Sequence, residues 1–76
     1  MRPDVMLPFG EGWQQPTPGE VRELLSSQGW TGSQAAKIAG VATRTVRHWV
    51  APIEQNGARP IPYAAWRLFL IEAGLT

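Results

Sequence analysis

Residues 31–50, TGSQAAKIAGVATRTVRHWV, decide the fold, because they contain a tight turn between two predicted helices. Thr31 is a good N-cap, and Gln34 three residues later completes a capping box, so a helix is predicted to begin at Gly32. Gly40 ends this helix, since the chain needs a positive φ there that other residues adopt only at a cost. The first half of the stretch is therefore predicted to be a short capped helix followed by a turn.

A second helix is predicted over residues 43–50, where Val46 and Trp49 lie three residues apart on one face. Polar and basic side chains point elsewhere: Thr43, Arg44, Arg47 and His48. A helix with an apolar inner stripe and a basic, hydroxyl-rich outer face suits the major groove of DNA.

The spacing of residue types across both helices is more specific than either helix alone. The pattern consists, in order, of the small residue Ala36, the turn glycine Gly40, the apolar residue Val41 and the two core residues Val46 and Trp49. The alanine lets the two helices cross closely, and the later apolar residues attach the second helix to the core. The pattern predicts a helix-turn-helix, and the alternative is an ordinary helical hairpin with a glycine C-cap.

The remaining chain divides into an arm and a body. Residues 1–16 contain three prolines and no sustained period, which predicts an extended arm, although its apolar residues indicate that part of it packs on the body. Residues 17–76 form the predicted domain, which begins with a capped scaffold helix from Pro18 to about Gln28. The predicted fold class is all-α: a compact four-helix helix-turn-helix domain with an irregular N-terminal arm.

Residues 51–60 connect the second helix of the pair to a last helix. Asn56-Gly57 favours a turn, but the flanking residues are poor strand formers, so an irregular loop is preferred over a small two-stranded wing. The last helix is predicted from Pro62 to Ala73.

The last helix has apolar side chains on nearly every side, and a helix of this kind must be covered on every side. A second copy of the chain is the expected partner for the face that one small core leaves uncovered. The residues expected at this dimer interface are Trp66, Phe69, Leu70 and Ala73. The alternative is a central helix covered by the N-terminal arm.

Composition narrows the function classes. The chain has 76 residues and no cysteine, which predicts one domain without disulfides and fits a cytoplasmic location. No continuous apolar run approaches the ~18 residues of a membrane span, and no signal-peptide core is present. The chain has one histidine, no cysteine and no two acidic residues at a spacing typical of an active site. It therefore offers no nucleophile–base pair and no set of metal ligands, so neither an enzyme nor a cofactor is expected.

The net charge is only +1, but the basic residues are unevenly distributed. Residues 1–30 carry two basic against four acidic side chains, whereas residues 31–61 carry four basic against one acidic. Positive charge is therefore concentrated in the segment that contains the predicted helix-turn-helix, as expected of a nucleic-acid-binding face.

The body, about residues 18–76, resembles the small phage-type (Xre-like) helix-turn-helix regulators, and more closely the anti-CRISPR-associated repressors. The resemblance lies in GWTGSQAAKIAGVATRTVRHWV and in GARPIPYAAWRLFLIEAGL. It implies a dimeric autorepressor that binds inverted repeats in the promoter of an anti-CRISPR operon of a phage or mobile element, with Arg44 as the principal base-reading arginine. Ser33 and Gln34 stand where the family has DNA-contacting basic residues. Ala42 stands where most such helices have a serine cap, so Thr43 is expected to cap one residue later.

The predicted ligand is double-stranded DNA, with no small-molecule ligand. Side chains expected to contact bases are Arg44, Arg47, Thr43 and Thr45. Residues expected near phosphates are Thr31, Gly32, Ser33, Gln34, Lys37, His48 and Arg59. Two other functions remain open: a winged-helix factor of the excisionase or mercury-regulator kind, and a protein-interaction module such as an antitoxin.

Overall fold

A computed structural model describes residues 3–6, 10, 12–52 and 59–75. Within these ranges the chain forms a short 3₁₀ helix followed by four α-helices and no strand. The 3₁₀ helix spans Pro3–Met6, and the α-helices are α1 (Pro18–Gln28), α2 (Gly32–Ala39), α3 (Thr43–Val50) and α4 (Tyr63–Glu72). The all-α prediction is confirmed.

Two capping boxes start α1 and α2 where the sequence predicts them. The hydroxyl of Thr17 accepts from the N–H of Glu20 at 3.2 Å, and the Glu20 carboxylate accepts from the Thr17 N–H at 2.8 Å. The same pair of bonds joins Thr31 and Gln34, at 3.1 and 2.8 Å. Each box satisfies two backbone donors that a helix start leaves open, so both helices begin at defined residues.

The turn between α2 and α3 has the geometry that the helix-turn-helix pattern requires. Gly40 has φ +71°, and Val41 donates its N–H to the carbonyl oxygen of Ala36 at 3.0 Å. Ala42 then precedes α3 in an extended conformation, without a side-chain cap. The expected cap by Thr43 is wrong, because Thr43 is already the first residue of the helix. The chain therefore passes from α2 into α3 within three residues.

The core lies between α4 and the other helices, with α2 packed on both α3 and α4 and α1 packed on α3. Its largest fully buried side chains are Trp66, Phe69, Leu24, Ile61, Leu70, Val5, Val21 and Val46. The Phe69 ring contacts Trp30 and Trp49, with ring centroids 5.9 and 6.2 Å apart. Phe69 thus connects α4 both to the turn before α2 and to α3.

Part of the N-terminal arm belongs to this core. The Val5 side chain is fully buried, and its carbonyl oxygen accepts from two indole N–H groups, those of Trp13 at 3.0 Å and Trp66 at 2.8 Å. Arg67 donates to the carbonyl oxygen of Met6 at 3.3 Å. The described part of the arm therefore packs against α4 at Trp66 and Arg67, which agrees in part with the alternative that the arm covers this helix.

The side chains of α4 divide between an inner and an outer face. Trp66, Phe69 and Leu70 have no exposed surface, and Ala73 is half-buried. Three of the four side chains predicted at the dimer interface are therefore enclosed within the single chain and cannot meet a second copy, which corrects that part of the prediction. Ala73 keeps exposed surface, and its place at an interface stays a prediction. The exposed large apolar side chains among the described residues are Leu68, Ile71 and Leu75.

The predicted turn in the connector and part of the predicted arm fall on residues that the structure does not describe. Residues 53–58, which contain the predicted Asn56-Gly57 turn, lie outside the described residues, and residues 51–52 and 59–60 beside them form no strand. Leu7 and Phe9, two of the apolar residues that indicate packing of the arm on the body, also lie outside the described residues. Among the helices that the structure describes, none has the length and apolar character needed to cross a membrane.

Candidate nucleic-acid interface

The side chains of α3 are sorted by the helical repeat of 3.6 residues per turn. Val46 and Trp49 are buried and define the inner face. Arg44 lies about 170° around the helix from the middle of that face, and Arg47 and His48 lie on either side of Arg44. Arg44 and Arg47 are exposed, and His48 is half-buried. The outer face of α3 therefore presents two guanidinium groups and one imidazole.

Thr43 and Thr45 lie at the two edges of α3 rather than on its outer face, and both are half-buried. A methyl group added at Gly32 would lie 3.6 Å from the Thr43 methyl carbon, so Thr43 faces the start of α2. The structure brings the N-terminal ends of α2 and α3 together at this contact. Of the four expected base-contacting residues, Arg44 and Arg47 have the most outward positions.

At the start of α2, two backbone N–H groups can still donate to a ligand. Its capping box uses the N–H groups of Thr31 and Gln34, which leaves those of Gly32 and Ser33 without an acceptor in the described structure. These donors lie at the positive end of the helix dipole, where an anion is favoured. The Gln34 side-chain oxygen accepts from the Thr31 N–H, so Gln34 holds the cap.

The other residues expected near phosphates lie on different elements. Lys37 is exposed in the last turn of α2. Arg59 is exposed in the connector, and its backbone N–H donates to the carbonyl oxygen of His48 at 3.0 Å. The C-terminal end of α3 is thereby attached to the last residues of the connector.

The sequence pattern places Arg22 on the scaffold helix α1 and does not indicate its contact with α3. Its guanidinium donates to the carbonyl oxygen of Val50, the last residue of α3. The partner is 28 residues away, so no local pattern indicates the bond. The sequence offers one indication of this bond. No glycine directly follows α3 to end it, and a basic residue on a neighbouring helix can bind the last carbonyl groups instead.

Among the described residues, no cluster of His, Asp or Glu side chains is placed to hold a metal ion. The outer faces of α3 and the start of α2 instead form a polar, basic surface supported from behind by an apolar core. The fold and this surface define a helix-turn-helix domain, in which α3 has the position of the recognition helix.

No protein-family model matches this sequence. The chain is 48% identical over 68 residues to a protein of Escherichia coli named Transcriptional repressor protein KorC, covering 86% of this chain and 74% of that protein. A second Escherichia coli protein of the same name is 47% identical over the same coverage. The chain belongs to the KorC family of transcriptional repressors.

Proposed function

We propose that this repressor binds a specific double-stranded DNA operator by placing α3 in the major groove. The observation that supports this most directly is the division of α3, with Val46 and Trp49 buried and Arg44 and Arg47 exposed on the outside. A guanidinium can donate two parallel hydrogen bonds to O6 and N7 of guanine, which makes arginine on an outward helix face suited to reading sequence.

Backbone contacts would then fix the orientation of α3 in the groove. The free N–H groups of Gly32 and Ser33 are suited to one phosphate, and Lys37 adds positive charge on the same helix. The nearness of Thr43 to Gly32 supports a common role for both helix starts, since the proposed phosphate donors lie beside the first turn of α3.

We further propose that the repressor acts as a homodimer on an inverted repeat. Leu68 and Ile71 lie three residues apart on the outer face of α4 and are 42% and 56% exposed, and Leu75, 44% exposed, follows them. Two-fold pairing covers the same apolar patch on both copies and supplies two recognition helices. The same patch is the observation that favours the second candidate, a protein-interaction module that binds a different protein through α4.

The target operon is part of this proposal. The family resemblance implies autorepression of an anti-CRISPR operon in a phage or mobile element, acting on DNA in the cytoplasm of a bacterial host. The relatives are named as transcriptional repressors, which supports repression as the outcome of binding. We propose no small-molecule effector.

Selection of bound duplexes from a random pool is the most informative test. We expect enrichment of one inverted repeat, and binding to the selected duplex that weakens steeply with salt as phosphate counterions are released. A control duplex with the same base composition in scrambled order should bind more weakly. Failure to enrich any sequence, together with capture of a protein partner through α4, would favour the protein-interaction module instead.

A further inference from the structure

The C-terminal end of α3 differs from the ends of the other helices. The helices α1, α2 and α4 are each followed by a glycine with positive φ, at Gly29, Gly40 and Gly74, and nearby backbone N–H groups close their last carbonyls. After α3 comes Ala51, which is extended with φ −69° and ψ 143°. The last carbonyl groups of α3 therefore need hydrogen-bond donors from elsewhere.

Two segments outside α3 supply donors to two of these carbonyl groups. The Arg22 guanidinium donates to the Val50 carbonyl oxygen, and the Arg59 backbone N–H donates to the His48 carbonyl oxygen at 3.0 Å. We call these two bonds the α3 clamp. It connects the end of α3 to α1 on one side and to the last residues of the connector on the other.

Arg22 has a second favourable effect at this position. The C-terminal end of a helix carries partial negative charge, which a guanidinium stabilises. A methyl group added at Gly19 would lie 3.7 Å from one terminal nitrogen of Arg22, so the side chain folds back over the first turn of α1. The guanidinium thus faces α3 from the helix that packs against it.

The clamp matters because α3 has only eight residues and no side-chain cap at its start. A helix this short is not stable alone in water, so contacts with the rest of the protein determine whether its last turn stays formed. That last turn contains Arg47 and His48 from the outer face and Trp49 from the core.

We infer that Arg22 is a positioning residue for the recognition helix: it holds the last turn of α3 in the binding conformation without contacting DNA. The inference rests on the proposed role of α3 in operator binding. Loss of the side chain lowers the fraction of molecules whose α3 is fully formed, and the apparent affinity falls with that fraction.

The first measurement is amide hydrogen exchange of the 76-residue chain without DNA. In the Arg22→Ala variant we expect the amides of Trp49 and Val50 to exchange about three- to tenfold faster, as loss of one hydrogen bond predicts, while those of Phe69 and Leu70 in α4 stay unchanged. Ser26→Ala, at an exposed position of α1, is the matched control and should leave exchange in α3 unaltered. Unchanged exchange in Arg22→Ala overturns the clamp.

The second measurement is affinity for the selected operator as a function of salt. We expect Arg22→Ala to bind more weakly, by no more than the ~3- to 10-fold change in exchange, with an unchanged salt slope, whereas removal of a phosphate contact lowers the slope by about one. Lys37→Ala, at a proposed phosphate contact, is the comparison that should lower the slope. A lowered slope in Arg22→Ala with normal exchange would show that Arg22 contacts phosphate instead.

Two conservative variants keep the inference testable if Arg22→Ala does not fold. Lysine at position 22 keeps the charge and enough length to reach the Val50 carbonyl, whereas glutamine is shorter and neutral. We expect Arg22→Lys to restore slow exchange and operator affinity, and Arg22→Gln to restore neither. Equal behaviour of both variants, or normal affinity despite fast exchange, contradicts a positioning role. If the wild-type chain prefers no duplex, the proposed function fails, and the exchange comparison still decides whether the clamp exists.

Discussion

At the scale of single residues, Arg44 is the side chain best placed to read a base, because it lies nearly opposite the buried face of α3. We expect Arg44→Ala to remove the preference for the operator over scrambled DNA. One bidentate base contact contributes ~1–3 kcal/mol, and in a two-fold dimer the loss occurs in both half-sites, so operator affinity should fall by well over tenfold. Fluorescence anisotropy with both duplexes measures the two affinities, and a folded variant with unchanged discrimination would contradict the assignment.

Gly32 allows the phosphate contact to be tested through a single N–H group. Thr31 is extended with ψ 167°, and α1 already has a proline after its capping threonine, so Gly32→Pro should fold while losing that donor. We expect about tenfold weaker binding to operator and scrambled DNA alike, since a phosphate contact carries no sequence information. Gly32→Ala keeps the N–H and adds only an ordinary contact with Thr43, so it should bind normally. A changed base preference in Gly32→Pro would place this site near the bases.

At the scale of whole elements, Trp49 attaches α3 to the core. Its side chain is 5% exposed, and its ring centroid lies 6.2 Å from that of Phe69. Trp49→Ala should lower the free energy of unfolding by ~3–5 kcal/mol, a large part of the ~5–15 kcal/mol that stabilises a domain. Urea unfolding followed by circular dichroism gives this value, with Trp49→Phe as a milder control. Wild-type stability combined with lost DNA binding would place Trp49 on the outer face instead.

The elements that sequence predicted well are those with local causes. The boxes at Thr17 and Thr31 and the turn at Gly40 depend on residues within four positions of one another, so short patterns locate α1, α2 and the turn. The outward position of Arg44 and Arg47 also follows from helical periodicity alone.

The contacts that sequence did not predict join residues far apart in the chain. The bond between the Trp66 indole and the Val5 carbonyl spans 61 residues, and that between Arg22 and Val50 spans 28. The apolar residues on every side of α4 predict that the whole helix is covered, but they do not indicate which segment or partner covers it. The N-terminal arm covers α4 at Trp66, whereas Trp30 and Trp49 cover Phe69, which has no exposed surface in the single chain.

At the scale of the whole molecule, the proposed dimer depends on the outer face of α4. Leu68 and Ile71 are exposed in the single chain, so replacing either with glutamate should preserve the fold, whereas a charge at Phe69 should unfold it. We expect the wild type to sediment as the proposed dimer at tens of micromolar, and Leu68→Glu and Ile71→Glu to sediment as monomers. Ser26→Glu, an exposed substitution on α1, is the control for added charge and should remain dimeric.

Operator binding by the same variants connects assembly to function. A two-fold dimer places its recognition helices in major grooves about 34 Å, or about 10 base pairs, apart on an inverted repeat. Each half-site alone offers few contacts, so the monomeric variants should lose tight binding to the full operator and bind a half-site as weakly as the wild type does. Circular dichroism with a thermal melt checks that the variants stay folded. A wild-type chain that is monomeric at tens of micromolar and binds one half-site tightly would contradict the dimer, and the apolar face of α4 would then favour a different protein as its partner.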